Sequence, residues 1–205
     1  MREYFSRRES LWRNAGSLGI AAAFNFYPGK NLGACGEAGA VTTNDERISR
    51  RIRMLRDHGQ SRKYFHDIEG YNGRLDAIQA GILTVKLRHL GQWNESRRQA
   101  AQRYNELLKD VDVVVTPFEP AWSRSVYHLY VIRIDDRDGL KKDLSYHGID
   151  TGLHYPLPLH LQKAYAHMGY QVGDFPIAER VAFEILSSFV VTAPASPQAP
   201  RFFPG

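Results

Sequence analysis

AAAFNFYPGKNLGACGEAGAVTT, residues 21–43, opens with an apolar, β-prone run that ends in an aromatic, a proline and a glycine, and the next residue is a single lysine, Lys30. A second apolar run, Gly39 to Thr43, returns after the Gly-rich segment GACGEAG. Locally this reads as strand, loop, strand, with an ammonium group held on the loop between two buried strands. Lysine is seldom fully buried, and desolvation there lowers its pKa and makes the amine a nucleophile towards carbonyl carbon, the chemistry of a Schiff-base lysine. The alternative reading of Lys30 is a solvated loop residue.

Working outward, Asn44 and Asp45 are N-cap residues for a helix whose apolar positions Ile48, Ile52 and Leu55 recur at helical spacing and which ends near His58-Gly59. Its arginines 47, 50, 51, 53 and 56 then form the wet side of an amphipathic helix, and with no nucleic-acid module in the sequence a nucleic-acid partner is not expected. Gln60 to Glu69 is polar and reads as a loop. Asn72 opens a long helix through Leu75, Ile78, Ile82, Leu83, Leu87 and Leu90 that continues to Leu108, with Gly91 as its expected break.

Beyond it, Val111–Val115, Tyr127–Ile134 and Thr151–Tyr155 read as strands, and Asp138–His147 as a helix closed by Gly148. His160–His167 and Phe175–Ile185 read as two short helices. Strand, strand, helix, strand indicates a small α+β domain.

The chain has 205 residues, of which 43% are hydrophobic and 24% charged, and its net charge of +5 suits an anionic partner such as a cofactor phosphate or a nucleotide sugar. No run of about 18 apolar residues suggests a membrane span. The N-terminus MREYFSRRESLWRN lacks the apolar region of a secretory signal, and the lone Cys35 fits a reducing compartment, so a cytoplasmic location is expected.

NFYPGKNLGACGEAGAVTTND, LRDHG at 55–59, GYNGRLDAIQAGIL at 70–83, WNESRRQAAQRYNELL at 93–108 and HYPLPLHLQKAYAHMGYQVGDFPIAE at 154–179 form an ordered series. In that series the chain resembles the DegT/DnrJ/EryC1/StrS family of sugar aminotransferases, from about residue 15 to residue 187. The resemblance implies an α/β remnant of the large domain of a PLP fold-type I aminotransferase over residues 1–108, including the Schiff-base lysine and the linker helix. A small α+β C-terminal domain over 109–186 and a disordered tail of different composition over 187–205 complete the expected organisation. It further implies that AGSLG, from Ala15, is a short hairpin and that the chain corresponds to the C-terminal half of a family member, truncated at both ends.

For function, the resemblance implies pyridoxal 5′-phosphate (PLP) bound at Lys30. The reaction is transfer of an amino group from glutamate or a similar donor to a nucleotide-linked keto-deoxysugar, in a homodimer. A catalytically inactive fragment of such an enzyme is the rival reading. Lys30 is the expected Schiff-base and proton-shuttling residue. Asn25 stands where the family commonly has a phosphate-binding serine, and its amide can donate to phosphate. Asn72 and Arg74 resemble the block that reaches the phosphate of the neighbouring subunit, although Asn72 also reads as a plain N-cap.

Tyr27 reads either as lining the same pocket or as core. His154, Tyr155 and His160 lie in the segment that the resemblance assigns to the sugar. The two histidines are six residues apart with no evident third ligand, so no metal site is expected.

Overall fold

The structure, a computed structural model, describes residues 6–8 and 11–188. Within them the chain divides into two compact units, one made of the described residues up to 95 together with 119–128, and the other of 96–118 together with 129–188. The tail expected over 187–205 lies, apart from Ser187 and Ser188, outside the described residues.

The first unit begins with the antiparallel pair β1 (Ser6–Arg8) and β2 (Leu11–Arg13). Ala15–Ser17 then forms a turn of 3₁₀ helix, not the expected hairpin. The predicted strand–loop–strand is present as β3 (Ala21–Asn25) and β4 (Gly39–Thr43), paired antiparallel from Ala21 opposite Thr43 to Asn25 opposite Gly39. The two strands are not buried on both faces: Ala21, Ala23 and Asn25 are exposed, while Phe24 and Ala40, opposite each other, turn inward. With them pack Phe26, Leu32, Ala34, Leu83 and Leu90, the buried cluster of this unit.

Helix α1 (Glu46–Leu55) starts at Asp45, whose carboxylate accepts from the backbone N–H groups of Arg47 and Ile48. Its half-buried face carries Ile48, Ile52 and Leu55, and the five arginines lie on the exposed one. The segment expected as a loop contains a short hairpin, β5 (Gln60–Arg62) with β6 (Phe65–His66). Its bulge and polar composition hide the period-two alternation that marks a strand. The long helix is two helices, α2 (Ala77–Leu87) and α3 (Leu90–Leu108), with the break at Arg88-His89 ahead of Gly91. Asn72 does not open α2. It lies in an extended segment bridged to Asp57, with Asp76 at the N-cap instead.

In the second unit, β7 (Tyr130–Arg133) and β8 (Thr151–Gly152) flank β9 (Ile185–Ser188), both antiparallel to it, with α4 (Arg137–Tyr146) between β7 and β8 in sequence. Gly148, at φ 75°, supplies the left-handed turn after α4. Two 3₁₀ turns, Leu159–Leu161 and Lys163–Met168, and α5 (Pro176–Glu184) precede β9. Of the expected strand 111–115, only Val115 pairs, exchanging two backbone hydrogen bonds of 2.9 Å with Arg133. The strands expected over 127–134 and 151–155 are likewise shorter, because a ladder needs a partner as well as β-prone residues.

The core of this unit holds Ala101, Tyr130, Ala182, Ile185 and Leu186. Tyr130 donates its hydroxyl to Asn105 Oδ1 at 2.6 Å and stacks on Tyr104 with ring centroids 4.9 Å apart. Arg137 is buried, bonded to the Ala182 carbonyl at 2.8 Å and to Asp138.

Candidate active site

The turn Tyr27-Pro28-Gly29-Lys30 closes through a 2.8 Å bond from the Lys30 backbone N–H to the Tyr27 carbonyl, with proline in the second position that such turns favour. From there the chain folds back: Ala34 N–H donates to Phe26 O and Phe26 N–H to Ala38 O. Helix α2 fastens the return. Gln79 Oε1 accepts from Cys35 N–H at 2.9 Å, and the Lys86 ammonium donates to the Gly33 carbonyl. Lys30 is thus carried on a loop braced from both sides, its side chain half-buried and its Nζ 3.4 Å from His128 Nε2.

Gly33 is required by this geometry, since a Cβ there would lie 2.1 Å from the Pro28 oxygen and 2.7 Å from its carbonyl carbon. Those are backbone atoms that cannot swing aside. Gly33→Ala is expected to cost about 2 kcal/mol of stability in urea unfolding, within the range for overpacking. Gly81→Ala, where nothing lies within 4 Å, is expected to be neutral or slightly stabilising.

The other predicted residues of the first unit are placed as follows. Asn25 ends β3, exposed, and its Oδ1 accepts from Tyr27 N–H at 2.8 Å, so that of its amide the nitrogen is the group that could donate to a ligand. Tyr27 is 53% exposed and so is not core. Asn72 and Arg74 are both exposed, and Arg74 pairs with Asp57 at 3.4 Å.

In the second unit, His154 is half-buried with its ring edge-on to that of Tyr155, which is 70% exposed. His160 is turned inward. Its Nε2 lies 2.9 Å from Glu179 Oε1, and its ring packs on Phe175 with centroids 4.7 Å apart.

Glu179 also accepts from Gly173 N–H and Phe175 N–H, and these bonds, led by that from Gly173, hold its carboxyl below the ordinary glutamate range, with His160 adding to the effect. A carboxylate whose folded-state pKa is depressed stabilises the fold above its unfolded value and loses that contribution as pH falls through the folded one. Glu179→Gln is therefore expected to lower the Tm at neutral pH, with the gap from the parent closing below about pH 4, measured by thermal melts across that range.

Among the described residues, no group of three or more His, Cys, Asp or Glu is placed to hold a metal ion, and no helix is long and apolar enough to cross a membrane. Two residues escaped the reading of the sequence. His128 stands next to Lys30 across a wide separation in sequence, and Asn31, beside the lysine, is buried and bonded to Asn94 Oδ1 and the Val126 carbonyl. Neither spacing nor composition signals a pairing of that kind.

The profile of the DegT/DnrJ/EryC1/StrS aminotransferase family matches residues 8–193. The chain belongs to that family. Aminotransferases of the DegT/DnrJ/EryC1/StrS family are PLP-dependent. The chain is 50% identical over 167 residues to the erythromycin biosynthesis sensory transduction protein EryC1 of Saccharopolyspora erythraea, covering 82% of this chain and 46% of the relative. To the dTDP-3-amino-3,4,6-trideoxy-alpha-D-glucose transaminase of Streptomyces venezuelae it is 41% identical over 189 residues, covering 92% and 50%. Its structure is similar to that of S. venezuelae DesV in complex with a ketimine intermediate, with a TM-score of 0.84, 40% identity and coverage of 91% and 49%. The chain therefore spans about half the length of these relatives. Its mixed α/β architecture is that of the PLP fold-type I aminotransferases over the shared part.

The lysine loop fits a phosphate-bearing aldehyde. It offers a primary amine on a braced turn beside an imidazole, and at the adjoining strand end an exposed asparagine whose amide nitrogen can donate.

Proposed function

We propose that the chain is a PLP-dependent aminotransferase that moves an amino group, from glutamate, onto the keto group of a nucleotide-linked deoxysugar. The observation that carries this reading is the Lys30 amine, half-buried on a loop braced by α2 in a chain of this family. The transaminase of S. venezuelae, named for a dTDP-linked amino sugar, supports the substrate class.

When bound, the cofactor supplies an electron sink that acidifies the C–H bond of the amino compound attached to it. The residues of this chain do the rest. Lys30 would hold the cofactor covalently through Nζ. The same nitrogen, kept close to the bound amino compound by its loop, would take a proton from the carbon on one side of the amino group and return it to the carbon on the other. One amine serves both purposes because its loop does not let it drift away.

Asn25, through its amide nitrogen, is assigned to the cofactor phosphate. Asn72 and Arg74, both exposed, are assigned to the phosphate of a neighbouring subunit in a homodimer. Tyr27, with half its surface open, is assigned to substrate, as are His154 and Tyr155. His160, its Nε2 on Glu179 and its ring on Phe175, ties that segment to the turn 171–175, whose Gly173 and Phe175 N–H groups Glu179 binds. The reading places the protein in the cytoplasm, where its nucleotide-linked substrate is made.

Incubation with PLP followed by borohydride reduction tests the proposal. A stable pyridoxyl adduct mapped to the peptide containing Lys30 is expected, together with conversion of glutamate to its oxo acid in a single turnover. A chain that forms no such adduct overturns the catalytic reading and keeps the fold without the reaction.

A further inference from the structure

We propose that His128 is a positioning residue for Lys30, its Nε2 accepting a hydrogen bond from Nζ and fixing where the amine stands. The inference rests on the lysine reading above for its purpose, but on independent geometry for its substance. Nζ and Nε2 are 3.4 Å apart, at the long end for such a bond, in a site of the kind that tightens when loaded. Lysine has only donors to give, so the contact requires Nε2 to carry the lone pair and the ring proton to sit on Nδ1.

The two segments that bring these groups together are locked to each other. Asn31, 5% exposed, donates from Nδ2 both to Asn94 Oδ1 at 2.8 Å and to the Val126 carbonyl at 3.1 Å. The residue after the lysine thus grips the chain two residues before the histidine. Between Val126 and His128, Tyr127 is held at φ 40°, a left-handed conformation that a bulky side chain adopts at a cost. Its ring is buried, its hydroxyl donates to Glu119 Oε2 at 3.1 Å, and its N–H donates to Ser125 Oγ at 3.2 Å. Glu119 in turn accepts from Ser125 N–H at 2.5 Å. A tripeptide pinned this heavily and bent this sharply presents His128 to one place, and what stands there is the Lys30 amine.

Reductive methylation of the full-length chain, without PLP, read out lysine by lysine by mass spectrometry, tests the pairing. In His128→Leu the Lys30 amine, released from its acceptor, is expected to react on the order of fivefold faster relative to Lys163, the worth of one hydrogen bond. In His128→Gln, whose amide oxygen can accept the same bond, the rate is expected to stay within about twofold of the parent. An unchanged rate in His128→Leu, or His128→Gln behaving as His128→Leu does, overturns the proposal.

Should His128→Leu fail to fold, the reciprocal measurement decides. Lys30→Met is expected to speed carbethoxylation of His128 several-fold, and no change overturns the proposal. Neither readout uses the cofactor, so a chain that shows the pairing but captures no PLP contradicts the proposed function alone.

Discussion

With Lys30 replaced by alanine, the chain forms no borohydride-stable adduct with PLP, and any single-turnover conversion of glutamate falls by about a thousandfold or more. Two losses combine in that number, the covalent anchor and the proton carrier, because the proposed function gives both to the same nitrogen. The fold is expected to survive the change. The turn is closed by the Lys30 backbone N–H rather than its side chain, and the bonds from Gln79 and Lys86 to the loop are untouched. Circular dichroism unchanged beside a missing adduct is therefore the expected pair of results. Lys163→Ala, at an exposed position of the second unit, serves as the control and should keep the adduct. An adduct that persists in Lys30→Ala moves the chemistry to another amine and removes Lys30 from it.

The largest expected loss of stability is at Leu186. It is 1% exposed, opposite Ile132 in the middle of β9, the strand flanked on both sides. Truncation to alanine removes buried methyl groups, and the ladder with β7 at this residue, with that to β8 beginning at the next, restricts how far the backbone can collapse into the space left. A cost of about 3 kcal/mol is expected from urea unfolding of the full chain, in the middle of the range for buried leucines. A loss below about 1 kcal/mol means that the site closes around the deletion. Phe183→Ala makes the contrast. That residue is 67% exposed on the neighbouring helix and should change stability by less than about 0.5 kcal/mol.

The lysine hairpin was legible because its two runs are apolar and β-prone and its turn carries Pro and Gly where turn geometry asks for them, whereas the exposure of one face of each strand was not, since runs of Ala, Gly and Thr do not mark which side meets solvent. The α1 stripe was legible from its helical period, with Asp45 as its start signal, although the helix ends at Leu55, short of His58-Gly59. What escaped depends on partners distant in sequence. Ile185 and Leu186 continue the apolar rhythm of α5, so the end of that helix and the onset of β9 are invisible until β7 and β8 are there to pair with it. Val111–Val115 shows the opposite error, a run with every β-prone quality but only one pairing residue. At the site, Lys30 announced itself by its setting, whereas His128 sits inside an ordinary apolar run, SVYHLYVI, and acquires meaning only when folding brings it to the amine. Asn72 misled because asparagine caps helices and bridges strands with equal ease, and tertiary pairing with Asp57 made the choice.

The position of β9 bears on when the second unit can fold. Its central strand is the last element described, and Tyr130 must wait for Ser188 before the first rung of their ladder can close. During synthesis, β7 and β8 therefore leave the ribosome with no strand between them, and closure of this sheet is a late, long-range event. A nascent chain paused just short of Ile185 would present two open edges at once, the moment at which this protein is most exposed to pairing with the wrong strand.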